Sequence, residues 1–180
     1  MKPNIWKPIV SFFISFCALT GAVFGQDTKA DRIMADVTRA KAGFIRSDKQ
    51  MDMLFKGAYG YAIFPKIGKG AVGVGGATGL GEVYEKGKLV GSSKMVQLTV
   101  GLQLGGEVYR EVIFFQDKEA LDRFRANKLE FTAQASAIAV KTGAAMNVKY
   151  TQGVAVFTQG KAGLMYDASI GGQKFNYIPY

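Results

Sequence analysis

FPKIGKGAVGVGGATGLGEVYEKGKLVG, Phe64–Gly91, is the stretch on which the fold turns. Nine of its 28 residues are glycine and four are lysine, so it lacks the large side chains that a packed helix needs. Glycine lets one backbone approach another closely and costs stability where no such approach is made. Tight turns and thin strands are therefore predicted, with strands near Ala71–Gly75 and Leu80–Glu85 and a turn at Lys86-Gly87-Lys88. A second reading makes the same stretch a cationic, backbone-exposed surface that receives an anionic head group. Lys66, Lys69, Lys86 and Lys88 would then act beside Gly70, Gly73, Gly75 and Gly76, whose N–H groups can form a phosphate nest without a helix. Against it stands the ordinary use of lysine on strand edges, where it discourages sheet-to-sheet pairing.

Immediately upstream, Tyr59–Phe64 reads as a strand closed by Pro65. Before it, Asp27-Thr28 can cap a helix that runs to Ser47. Ile33, Met34, Val37, Ala40, Phe44 and Ile45 recur at helical spacing and form an apolar stripe, which is expected to face the core. Asp48 starts a shorter helix through Lys56 that ends at Gly57.

Downstream, Val96, Leu98, Val100, Leu102 and Leu104 alternate with Gln97, Thr99, Gly101 and Gln103. Period two means a strand with one apolar face. Gly105-Gly106 reads as a turn into a second strand, Glu107–Phe115, and the two are expected to pair as an antiparallel ribbon. Asp117 caps a helix to Asn127, Phe131–Val140 and Met146–Tyr150 look strand-like, Val154–Gln159 and Ala162–Ile170 form a hairpin, and Gln173–Tyr177 closes the sheet. Helices first and short strands after predict an α+β fold: N-terminal helices packed on a strongly curved antiparallel β-sheet. Periodicity leaves open whether the strands close into a barrel.

The 180 residues suit one domain plus a targeting segment. Lys2 and Lys7, the apolar run Ile9–Phe24 and the small residues near Val23–Gly25 read as a signal peptide over residues 1–25, with a single domain over 26–180. The expected location is outside the cytoplasm: periplasmic, envelope-associated or secreted. Phe16 before Cys17 is too bulky for lipoprotein processing. Removing Lys2 and Lys7 from 23 basic residues leaves 21 against 14 acidic ones, a formal charge of +7. Such a chain favours anionic partners.

The chain has no histidine, and its one cysteine lies in the signal segment. Histidine- and cysteine-based nucleophile systems are thereby excluded, and neither a metal nor a cofactor is expected. Glu82 with Glu85, and Glu107 with Glu111, are the nearest carboxylate pairs; they read as solvated strand charges, so no catalysis is expected. Gly68–Gly73 matches G-x-G-x-x-G, but no helix follows it, so it is no dinucleotide fingerprint. Tyr59, Tyr61, Tyr84 and Tyr109 read as half-buried strand residues that could also serve as interfacial aromatics. A basic and aromatic mix suits single-stranded nucleic acid too, but an exported protein seldom meets it, and no nucleic acid is expected.

Four blocks in order, AYGYAIFP (Ala58–Pro65), KGAVGVGGATGLGEVY (Lys69–Tyr84), QLTVGLQLGG (Gln97–Gly106) and AGLMYDASIGGQKFNY (Ala162–Tyr177), resemble the SYLF-domain family, the lipid-binding or actin-regulator domain. The closer likeness is to its exported bacterial branch, in which the domain stands alone. The resemblance implies a non-enzymatic module that binds anionic phospholipid head groups at a membrane surface. Eukaryotic members bind phosphoinositides and some touch actin, beside SH3 or FYVE domains. This chain has room for neither, so actin is not the expected partner. The family's lipid-binding segment is N-terminal, which makes Arg32, Arg39, Lys41 and Arg46 a second candidate set. The alternative is an exported structural or host-facing protein-interaction domain.

Overall fold

The computed structural model describes residues 28–72, 74–100, 107–129, 138–139, 148–160, 163–167 and 172–180. The expected signal peptide and the Gly105-Gly106 turn lie outside these residues, as does most of Phe131–Val140. Three helices, α1 (Lys29–Ser47), α2 (Met51–Gly57) and α3 (Lys118–Arg125), accompany eight strands. The strands are β1 (Gly60–Val72), β2 (Val74–Glu85), β3 (Lys88–Val100), β4 (Glu107–Phe115), β5 (Ile138–Ala139), β6 (Val154–Gly160), β7 (Gly163–Asp167) and β8 (Gln173–Pro179). All pair antiparallel in one sheet of order β5-β7-β6-β4-β1-β2-β3-β8. The sheet is open, with β5 and β8 at its ends, and does not close into a barrel.

Local chemistry sets the helix ends. The Thr28 hydroxyl accepts from Asp31 N–H at 3.2 Å and the Asp31 carboxylate accepts from Thr28 N–H at 3.0 Å, a reciprocal cap on α1. The Asp117 carboxylate caps α3 by accepting from Ala120 N–H at 2.8 Å.

Helices cover both faces of the sheet. On one face Val37, Ala40 and Phe44 of α1 and Met51 and Phe55 of α2 pack on Tyr61, Ile63, Val112, Phe114 and Phe157. On the other, Ala120, Leu121 and Phe124 of α3 pack with Phe64, Ile113, Phe115, Val156 and Phe175. Neighbours in sequence therefore go to opposite cores, which is why Val112–Phe115 is continuously apolar.

The structure corrects four expectations. First, β1 runs through Pro65 to Val72; the register shifts there against both β2 and β4, so the missing proline N–H falls at a bulge. Second, Phe64–Gly91 is one long hairpin, β1 with β2, followed by the start of β3. Lys86 and Gly87 both take positive φ (48° and 77°) in a two-residue turn between Glu85 and Lys88. Glycine is required where β2 meets the bulge: a Cβ on Gly81 would lie 2.4 Å from the Ile63 carbonyl oxygen and 2.7 Å from Phe64 Cδ1. Third, β3 and β4 form no ribbon, because the β1–β2 hairpin lies between them and β4 pairs with β1 and β6. Burial on both faces draws β4 to the middle of the sheet. Fourth, β3 does not turn its alternating apolar parity into the α3 core at Val96, which is exposed, whereas its neighbour Met95 is buried there.

Candidate functional site

α1 and α2 cover only part of their face of the sheet. Beyond them, facing residues of adjacent strands form two rows. One runs Lys66, Leu80, Lys94, Asn176 across β1, β2, β3 and β8. The next runs Val108, Gly68, Thr78, Val96, Lys174 across β4, β1, β2, β3 and β8. Leu80 is 38% exposed, Val96 41% and Val108 53%, so three apolar side chains stand in solvent among cations. Among the described residues no carboxylate lies within ion-pair range of Lys66, Lys94, Lys174 or Arg110.

Two adjoining hollows lie between α1 and this open area. The first, about 640 Å³, is lined by Arg39 and Arg46 of α1, Lys66 of β1 and Arg110 of β4. The second, about 600 Å³, is lined by Ile33, Gly68, Gly79 and Leu80 with Lys66 and Lys94. They share Asp36, Pro65 and Lys66. Asp36 is the one acidic group in either lining and is paired with Arg39. Arg110 is seated against α1 at Gly43, where a Cβ would lie 2.2 Å from its Nη1.

The structure therefore regroups the sequence candidates. Lys66 joins Arg39 and Arg46, which belonged to the second set. Arg32, Arg39 and Arg46 recur every seven residues along α1 and are exposed, so they share a stripe. Lys41 is apart from them: its ammonium donates to the Tyr61 hydroxyl at 3.3 Å and stands 4.8 Å from the Phe55 ring centroid. Burial pulls it below its ordinary pKa.

Lys86 and Lys88 sit at the opposite end of the hairpin from Lys66, with Lys88 six positions before Lys94 along β3. Lys86 leans over the Tyr59 ring, 5.1 Å from its centroid, on the α3 side. Lys69 is opposite Ala77, and its side chain lies outside the described residues, as does Gly73. Gly70 pairs with Gly76, and Gly75 and Gly76 are paired with both β1 and β3, which leaves no open nest at those two glycines. Lys94, Lys174, Arg110 and the exposed apolar residues are absent from the sequence-based set. Their signal was parity along β3, β4 and β8, which becomes legible only once the register is known.

The carboxylates also differ from expectation. Glu82 is 2% exposed and Glu111 1%, so neither is a solvated strand charge. Glu82 accepts from the Tyr84 hydroxyl at 2.6 Å on the α1 side. Glu111 accepts from Gln173 Nε2 at 3.0 Å on the α3 side. Burial, then the charge of Glu82, pushes the Tyr61 hydroxyl up to about 12. Burial and the bond to Glu82 push Tyr84 up as well. Glu85 faces α3, where it accepts from Tyr59 at 2.6 Å and from Arg125 at 2.8 Å. The Glu82 and Glu85 pair does not converge, because the two are on opposite faces; the Glu107 side chain, and with it the expected pairing with Glu111, lies outside the described residues. Tyr61 and Tyr109 are buried, and only Tyr59 and Tyr84 of the four tyrosines are half-exposed. Among the described residues there is no acidic cluster that could hold a metal, and no helix is long and apolar enough to cross a membrane.

Residues 96–177, just under half of the chain, match the family model described as Las17-binding protein actin regulator. The chain carries a domain of this family. It is the SYLF family to which the four sequence blocks point. The match takes in Val96, Val108, Arg110 and Lys174 of the open face and leaves Lys66, Leu80 and Lys94 outside it. The chain is also similar to Beta cell expansion factor A of Aeromonas veronii, at 34% identity over 125 residues. That alignment covers 68% of this chain and 47% of the relative, so the chain spans about half the length of the curated protein it matches.

Proposed function

We propose that this SYLF domain is a non-enzymatic module that docks on anionic phospholipid surfaces, outside the cytoplasm, through the open part of its α1-side sheet face. One observation carries the reading. Exposed Leu80, Val96 and Val108 share that face with Lys66, Lys94, Lys174 and Arg110. Apolar side chains reach the acyl boundary while the cations meet phosphate. Each lysine or arginine near an anionic membrane contributes ~1 kcal/mol, so four sustain a reversible attachment. The buried Glu82 and Glu111 lie on opposite faces, which fits binding rather than carboxylate catalysis.

The test is sedimentation with phosphatidylglycerol vesicles across a salt series. The chain is expected to sediment at about 0.01 M salt and to be released towards about 0.15 M, as the Debye length falls from ~30 to ~8 Å. Pure phosphatidylcholine vesicles should bind far less. Sedimentation with actin filaments and not with anionic vesicles would replace this reading.

A further inference from the structure

The two hollows beside α1 differ in chemistry, and the difference points to more than a diffuse surface charge. The first brings Arg39, Arg46, Lys66 and Arg110 together from three elements. The second has Ile33, Gly68, Gly79 and Leu80 for walls, with Lys66 and Lys94 as cations. Lys66 and Pro65 stand between them. Each volume, about 640 and 600 Å³, falls within the ~300–1,000 Å³ typical of small-molecule sites. Gly68 adds room, because a Cβ there would meet nothing within 4 Å.

We infer that this double groove seats one phosphate-bearing amphiphile as an individual molecule. Its phosphate lies among Arg39, Arg46, Lys66 and Arg110, and the first part of an acyl chain lies along Ile33, Gly68 and Leu80. Charge complementarity selects the phosphate end. Arginine can grip phosphate oxygens with two parallel N–H donors, and three of the four cations here are arginine. The adjoining apolar wall then selects a phosphate that carries hydrocarbon over the free ion. Asp36, held by Arg39, disfavours a second anionic group between the two hollows. The inference rests on the docking reading and adds a stoichiometric site to it.

The test is calorimetric titration of the chain with dihexanoyl phosphatidate kept below its micelle concentration, beside inorganic phosphate and dihexanoyl phosphatidylcholine. The phosphatidate should saturate at one per chain and bind at least about tenfold more tightly than either control, the size of effect that ~1.4 kcal/mol produces. Gly68→Trp fills the apolar hollow without changing charge. It should abolish that preference. Leu80→Gln, at an exposed position that does not hold the core, should weaken phosphatidate binding and leave inorganic phosphate unaffected. Phosphatidate binding no tighter than inorganic phosphate, or unaltered in both variants, overturns the groove. If vesicles still sediment, surface docking stands without it; if they do not, both readings fall.

Discussion

Neutralising Lys66 and Lys94 together should weaken binding to anionic vesicles far more than neutralising Lys86 and Lys88, although both pairs lie in or beside the same glycine-rich stretch. Lys66 and Lys94 flank Leu80 in one row of the open face. Lys88 stands six positions along β3 from Lys94 of that row, about 20 Å at ~3.3 Å per residue, and Lys86 lies in the turn before it. Lys86 also turns towards Tyr59 on the other face. Losing two cations at the surface removes ~2 kcal/mol, a roughly 30-fold drop in partitioning. At about 0.1 M salt, ~20 Å is two Debye lengths, so an exposed charge there is reduced to about a seventh. Lys86→Gln with Lys88→Gln should therefore change partitioning by less than about twofold. The assay is vesicle sedimentation of both double variants, with circular dichroism to confirm equal folding. A larger loss from the turn lysines would refute the placement of the face, and no loss from either pair would refute its electrostatic basis.

Two further predictions concern stability. Gly81→Ala should cost about 1–3 kcal/mol in denaturant unfolding, because its Cβ would meet the Ile63 carbonyl oxygen at 2.4 Å. Gly68→Ala, with nothing within 4 Å, should be neutral or mildly stabilising; equal behaviour of the two would show that the bulge is not tightly packed. The hydrogen bond from Tyr59, then the one from Arg125, holds the Glu85 carboxyl below its ordinary value. A depressed carboxyl stabilises the fold above the unfolded pKa and loses that contribution as pH falls through the folded one. Glu85→Gln should therefore lower the thermal midpoint most at about pH 6 and match wild type towards about pH 3; a gap that stays constant would exclude the carboxylate charge as its source.

Much of the secondary structure was legible because its signals are local. Thr28 and Asp117 cap through groups within three residues, and Lys86-Gly87 carries its turn signal in two adjacent residues. The strand through Pro65 was not legible, since proline is excluded from a strand unless a bulge frees its position, and the bulge exists only against β2 and β4. The site was half legible. Lys66, Arg39 and Arg46 appear in the sequence-based sets, but in two sets that only the packing of α1 on β1 unites. Arg110 lies far along the chain and is brought in by the β1–β4 pairing.

By itself the sequence determined the extent of α1, the cap of α3, the antiparallel strand-rich character, the excess of positive charge and the kinship with the SYLF family, because composition, capping and period are properties of neighbouring residues. It misplaced the start of α2, which begins at Met51, because Asp48 ends α1 as its C-cap residue. Tertiary structure alone decided which strands are neighbours, which carboxylates are buried and which lysines share a face. Those outcomes depend on register across residues far apart in the chain. A one-place shift in pairing would carry every side chain of a strand to the opposite face.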